Sequence, residues 1–242
     1  MNTVKRTITF LLVIVAHFAM AQETKETKPT PPTPQQQANA FVVNHYSKAF
    51  ALAQRYGDTR NAINALYNVL AEYPQNDSLL YTLSYLYFEN NNSAQAVLVS
   101  KDLLTVNPDH LGGLEIAAVS YEKLGIKDKA LDAYESLYLK STDYEVLYKV
   151  AFLQYDLQRL GECNTNIDIL LKHPNADTLK VYYTDANKEE KEYSIKVALY
   201  NLKGMVCTAK GDKKSAKQHF EAALAIAPDF VLAKENLAAL EK

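Results

Sequence analysis

The feature that most constrains this chain is a self-similarity at a period of 34 residues. Gly57, Ala62, Leu66, Val69 and Pro74 recur 34 positions later as Asn91, Ala96, Ser100, Leu103 and Pro108, then as Gly125, Ala130, Tyr134, Leu137 and Thr142. The strongest copy comes last: Tyr200, Gly204, Cys207, Gly211, Ala216, Phe220, Ala223 and Pro228. Such a period marks one supersecondary unit stacked on copies of itself, because a lone unit cannot bury its apolar face. The offsets have physical content. Small residues at Ala62, Ala96, Ala130 and Ala216 let two antiparallel helices approach closely. Gly57, Gly125 and Gly211 can take φ > 0 where the first helix of each pair stops. Pro74, Pro108 and Pro228 end the second helix, and Asp77, Asp109 and Asp229 are placed to cap the next. Tyr46, Leu80, Leu114, Tyr148 and Tyr200 supply bulk between neighbouring units.

These residues resemble the tetratricopeptide repeat, whose pattern sets an aromatic, Leu-Gly, Tyr, Gly, Ala, Phe, Ala and Pro at fixed offsets. The resemblance covers about 200 of the 242 residues. It implies an all-α fold: a right-handed α-solenoid of about five helix pairs plus a C-terminal capping helix, filling residues 41–242. Repeats are expected at 43–76, 77–110, 111–144, 145–174 and 197–230, with the cap at 231–242. The fourth unit is worn, since Pro174 comes two positions early and Asn164 stands where Ala is expected.

Glu145 to Val197 is 52 residues, one period plus 18, so an insertion at 175–196 separates repeats 4 and 5. Leu179, Val181 and Tyr183 alternate with polar residues, as do Tyr193, Ile195 and Val197, around the charged stretch TDANKEEKE. Period-two alternation on both sides of a polar turn predicts a β-hairpin. The competing reading is a longer first helix starting near Glu189. As a hairpin, the insertion is either a docking or oligomer contact or a tolerated surface addition.

The N-terminus reads as an address. Lys5 and Arg6, the apolar run from Ile8 to Ala16 and the small-residue box Ala19-Met20-Ala21 have the layout of a secretory signal cut before Gln22. The run is short of the roughly 20 residues a bilayer span needs, so no integral span is expected after cleavage, and a periplasmic or secreted location follows. Residues 22–40, with four prolines and a Gln run, read as a disordered, solvated spacer.

Composition narrows function by exclusion. With 26 basic and 28 acidic side chains the chain has no basic footprint for nucleic acid. Seven glycines without a Gly-rich run argue against a phosphate-cradling nucleotide fold. The histidines beyond the signal, His45, His110, His173 and His219, are isolated, and none forms an i, i+4 metal pair. No catalytic constellation is recognisable, so the chain reads as a non-enzyme without metal or cofactor. Cys163 and Cys207 read as two buried small hydrophobes, with a disulfide as the alternative.

In the resembled family the first helices line a concave groove that takes extended or helical peptides. Carried over by position, the groove residues are Asn44, Ser47, Ala51 and Gln54; Ser78, Tyr81, Tyr85 and Phe88; Gly112, Glu115, Val119 and Glu122; Val146, Lys149, Leu153 and Asp156; and Ala198, Asn201, Met205 and Thr208. The positions of the family's carboxylate clamp hold Ser47, Ala51, Thr82, Gly112 and Ile116, none of them charged. Tyr81, Tyr85 and Phe88 are rigid aromatics suited to protein recognition. The expected partner is therefore a protein or peptide, with the chain acting as an adaptor in envelope assembly or in a secreted complex. A carbohydrate-binding, nutrient-capture role and self-association into a homo-oligomer are the alternatives.

Overall fold

A computed structural model of the chain describes residues 31–184 and 190–240. The expected export signal, most of the expected spacer and the tip of the charged stretch lie outside the described residues. Residues 1–41 and 42–242 form two units. In the first, helix α1 (Pro34–Arg55) begins inside the expected spacer. The reason is a capping box. The Thr33 hydroxyl accepts from the Gln36 N–H at 3.3 Å while Gln36 Oε1 accepts from the Thr33 N–H at 2.9 Å. Pro34 sits at the first helical position, where its missing N–H costs nothing. Residues 34–40 of the expected spacer are therefore helix.

The second unit is a run of helix pairs. The later turns of α1 pair with α2 (Thr59–Glu72), α3 (Asp77–Glu89) with α4 (Ser93–Val106), and α5 (Leu111–Lys123) with α6 (Lys127–Ser141). Next come α7 (Tyr144–Asp156) with α8 (Leu160–Lys172), and α9 (Ile195–Ala209) with α10 (Lys213–Ile226), followed by α11 (Val231–Leu240). Between α8 and α9 lie β1 (Lys180–Thr184) and β2 (Glu190–Ser194).

Four of the five pairs bury a small residue on both helices at equivalent places, and the first pair does so on α2. On second helices, Ala62, Ala96, Ala130, Cys163 and Ala216 are at most 1% exposed. On first helices, Ser84, Ala118, Ala151 and Gly204 occupy the equivalent buried place. Cys163, not Asn164, thus stands at the alanine position of the fourth unit. Both cysteines are free thiols, Cys163 buried and Cys207 half-buried. Beyond the small pair, Leu66, Leu103, Leu131, Leu147, Ile167, Leu170 and Phe220 fill the interior; each contributes about 1.5–3 kcal/mol on burial.

The turn between the helices of each pair needs one left-handed residue. Gly57, Gly125 and Gly211 supply it with φ of 68°, 74° and 79°, and Asn91 and Gln158 take it in the other two units. Gln158 lies 33 residues after Gly125, not 34, which reveals a one-residue slip. Its source is the α6–α7 link. Pro74 and Pro108 follow α2 and α4, whereas Thr142 adopts φ 52° and stops α6 directly, so that Asp143 caps α7 one position early. Proline cannot take positive φ, so the shorter link requires its absence. Caps also differ from expectation elsewhere: Asn76 and His110, not Asp77 and Asp109, accept from Leu79 and Gly113 N–H at 3.0 and 3.1 Å.

The insertion forms the hairpin. β1 and β2 pair antiparallel, with Val181 opposite Tyr193 and Tyr183 opposite Lys191. Ile195 and Val197 do not extend the strand. Ser194 caps α9, its hydroxyl accepting from the Lys196 N–H at 3.3 Å, so both side chains belong to the helix. A first helix from Glu189 is excluded, because Glu190–Ser194 is strand. The inner hairpin face of Val181, Tyr183 and Tyr193 packs with Val197, Phe230 and Ala233, so this face serves the scaffold itself.

Gly204 tests the close approach directly. A Cβ there would come within 2.4 Å of Phe220 Cε1. Gly204→Ala should cost about 1–3 kcal/mol by overpacking, lowering Tm by roughly 3–10 °C at this size. Gly161→Ala, where a Cβ meets nothing within 4 Å, should instead raise Tm slightly, since Ala is the better helix former. Thermal melts by circular dichroism distinguish the two, and equal effects would refute the role of Gly204.

Candidate functional site

The face expected to bind is built from the first helices. On α3, α5 and α7, positions 2, 5, 9 and 12 counted from the N-cap fall on one stripe, because steps of three and four follow the helical turn. On α3, Leu80, Leu83, Ser84 and Leu86 turn inward, leaving Ser78, Tyr81, Tyr85 and Phe88 on the stripe. On α5 the stripe holds Gly112, Glu115, Val119 and Glu122, with Leu114, Ala117, Ala118 and Ser120 inside.

On α7 the slip moves every position by one. Asp143 is the cap, so the stripe is Glu145, Tyr148, Phe152 and Tyr155, not Val146, Lys149, Leu153 and Asp156. Leu153 is 5% exposed within the core, whereas Phe152 is 37% exposed. Lys149 stays on the surface beside the stripe, its Nζ 3.8 Å from Glu122 Oε1. The aromatic triplet of α3 thus has a counterpart on α7 that a strict 34-residue period hides. The missing proline at 142 and the displaced turn residue Gln158 are the signals that could have found it.

On α9, Met205 is half-buried and Asn201 is 5% exposed. Asn236 of α11 donates to Asn201 Oδ1 at 2.9 Å. Asn201 is therefore committed to the cap and is withdrawn as a partner residue.

The α3–α5 part of the face is tightly composed. The Tyr81 ring lies 4.8 Å from the His110 ring and 6.2 Å from that of Tyr85. Gly112 is required here for space: a Cβ would meet Tyr81 Cε2 at 2.7 Å. Lys123 Nζ sits 4.6 Å from the centre of the Phe88 ring, a cation–π contact. Glu122 accepts from the Tyr134 hydroxyl at 2.9 Å. Burial raises the pKa of the Glu115 carboxyl above its ordinary value, and the like charge of Asp143 adds to the rise. Burial also raises that of the Tyr81 hydroxyl, with Glu115 contributing.

At α7 the hairpin intervenes. The hydroxyls of Tyr148 and Tyr183 share a hydrogen bond of 2.7 Å, and the Tyr183 ring lies 5.1 Å from that of Phe230. Burial pushes the Tyr148 hydroxyl far above its usual range. Tyr148 is thus occupied by the hairpin, leaving Phe152 and Tyr155 as the available α7 aromatics. Among the described residues there is no grouping of His, Cys, Asp and Glu suited to a metal ion, and no helix long and apolar enough to cross a membrane.

The corrected register separates two neighbouring residues experimentally. Leu153→Ala should cost about 2–5 kcal/mol as a core cavity, and Phe152→Ala about 1 kcal/mol or less. Urea unfolding of both variants checks this, and the reverse order would restore the strict period.

Comparisons with known proteins agree with this architecture. Residues 55–137 match the family model described as anaphase-promoting complex, cyclosome, subunit 3, and residues 197–230 match that of the tetratricopeptide repeat. No curated protein sequence matches the chain. Among solved structures, a MamA protein superposes with a TM-score of 0.58 at 17% identity, over 84% of this chain and 97% of that one. MamA from Desulfovibrio magneticus RS-1 gives 0.55 at 14% identity, over 78% and 97%. YrrB, described as a TPR protein with an unusual peptide-binding site, gives 0.61 at 13% identity, over 82% and 96%. Repeat pattern, helix-pair packing and these matches lead to one conclusion: the chain is a tetratricopeptide repeat protein.

Proposed function

We propose that this protein is an exported adaptor that binds an extended segment of another protein on the face lined by its first helices. The observation that carries the reading is the aromatic stripe. Tyr85 and Phe88 share the half-buried stripe with Tyr81, which packs at the edge of the core that α3 buries, and Phe152 and Tyr155 repeat the arrangement on α7, two helix pairs further on. Aromatic side chains offer large contact area with little conformational freedom to lose, and the folded scaffold presents them without ordering cost. The peptide-binding site in the description of YrrB supports a peptide ligand. Export rests on the signal-like segment 1–21 and places the protein in the periplasm or outside the cell, in envelope assembly or a secreted complex.

Capture from envelope extract by chain 22–242, beside a Tyr81→Ala/Tyr85→Ala/Phe88→Ala variant with an unchanged helical spectrum, tests the binding face. Proteins held by the native chain should be lost by the variant, with single anchors costing about 1–3 kcal/mol each. Identical retention by both chains would remove binding from this face. Mass spectrometry of the native protein tests export: a chain starting at Gln22 in the envelope is expected, and one retaining Met1 in the cytoplasm would overturn it.

A further inference from the structure

Strand β2 keeps one edge open. The sheet has two strands, and β2 pairs with β1 alone among the described residues. One bond fixes where its backbone groups point. The Ile195 N–H donates to the Leu179 carbonyl at 2.9 Å, so these two residues are a directly bonded pair. Antiparallel strands alternate bonded and non-bonded pairs. Val181–Tyr193 and Tyr183–Lys191 are therefore bonded pairs too. Glu190 and Glu192 then turn both their backbone groups away from β1, and Ser194 turns its N–H the same way. No described backbone carbonyl accepts from the N–H of Glu192 or Ser194.

This edge borders an open cleft of about 480 Å³. Lys191 and Tyr193 point to the inner face of the hairpin, and Glu192 and Ser194 to the outer face. All four line the cleft, and no described β1 residue does. A cavity that touches both faces of one strand and misses its partner runs along the unpaired edge of that strand. The rest of the lining is apolar: Val197 and Ala227 are buried, while Ile226 is 47% exposed beside Pro228. Asp229 ties the link between α10 and α11 to the strand. It accepts from the Tyr193 hydroxyl at 3.2 Å and lies 4.0 Å from Lys191 Nζ.

Backbone donors and acceptors at every second residue are matched by another extended chain, in which main-chain bonds give affinity and alternate side chains give specificity. A chain lying along β2 places one residue opposite Glu192, exchanging both backbone bonds with it. The residues before and after that one point as Lys191 and Tyr193 do, towards Val197, Ile226 and Ala227. The edge carries Glu190 and Glu192, so an acidic residue opposite them is disfavoured. The same charges disfavour a second β2 as occupant, because the registers that overlap most of the two strands set Glu192 against Glu192 or Glu190.

We propose that this cleft binds an extended segment of another protein as a third strand of the sheet. The segment has two apolar side chains two positions apart, with a non-acidic, non-proline residue between them opposite Glu192. The site is separate from the first-helix stripe and stands or falls independently of it.

The test is an NMR titration of isotope-labelled chain 22–242 with the peptide Gly-Ser-Ile-Thr-Val-Ser-Gly. The amide signals of Glu192 and Ser194 should move on binding, the Glu192 proton downfield as it gains an acceptor. N-methylation of the peptide threonine removes the N–H that faces Glu192 and should weaken binding about tenfold, the loss of one main-chain hydrogen bond. N-methylation of the valine, whose N–H points away from β2, should have little effect. Ile226→Glu should also weaken binding roughly tenfold by removing apolar lining. Glu192→Pro should abolish it, since proline is tolerated on an open edge but donates nothing. Thr184→Pro, on the other edge of the same hairpin, should leave binding unchanged, as should Tyr81→Ala/Tyr85→Ala/Phe88→Ala.

Loss of binding in the aromatic variant would move the peptide to the stripe and overturn the cleft. Equal weakening by the two N-methylations, or binding that survives Glu192→Pro, would overturn strand addition. A molecular mass that rises with concentration and falls back in Glu192→Pro would make a second copy the occupant and reject the proposal. No shift at Glu192 and Ser194 with peptide in large excess rejects it outright.

Discussion

Contact between small residues on paired helices is the constraint from which the rest of this structure follows. Where Ala62, Ala96, Ala130, Cys163 or Ala216 packs close to the facing helix, the two backbones approach enough for the next shell of leucines and aromatics to interdigitate. Gly204 shows the tolerance most clearly, since Phe220 fills the space that any Cβ would need. Fixing that contact fixes the rotation of both helices. It therefore decides which residues of the first helix turn outward, and the outward stripe is a consequence of core packing.

The fourth unit shows how strictly this coupling operates. Thr142 ends α6 in a left-handed conformation, and the link to α7 loses one residue. Had α7 kept the 34-residue numbering, Leu153 would face solvent and Phe152 the core. Packing forces the opposite: the helix keeps its contacts, and the sequence numbering slips. Cys163 replacing alanine and Gln158 replacing glycine are the same displacement seen at the two neighbouring positions.

The insertion extends the packing rule to a different kind of element. Its hairpin has one apolar face, and a two-stranded sheet is not stable alone in water. That face is satisfied by Phe230, Val197 and Ala233 on one side and, through the Tyr148–Tyr183 hydroxyl pair, by α7 on the other. Lys196 with Asp177 at 2.6 Å adds an exposed tie between α9 and the turn preceding β1. The hairpin thus links the fourth unit, the fifth unit and the C-terminal helix, while its outer face of Lys180, Tyr182 and Glu192 remains exposed.

The helix pairs, their turns and the hairpin were legible in the sequence because each depends on residue type at short range: small residues four apart from bulky ones, glycine where φ is positive, alternation where a strand has two faces. The stripe on α3 and α5 was legible for the same reason, since both helices keep the period. What the sequence did not determine is the outcome of competition between elements. Whether Thr142 shortens a link, whether Asn236 reaches Asn201 and whether a hairpin covers Tyr148 depend on contacts between residues about 30 or more positions apart, or on a single backbone dihedral that threonine adopts only under packing pressure. The tertiary structure alone moved the α7 aromatics onto the face and withdrew Leu153 and Asn201 from it.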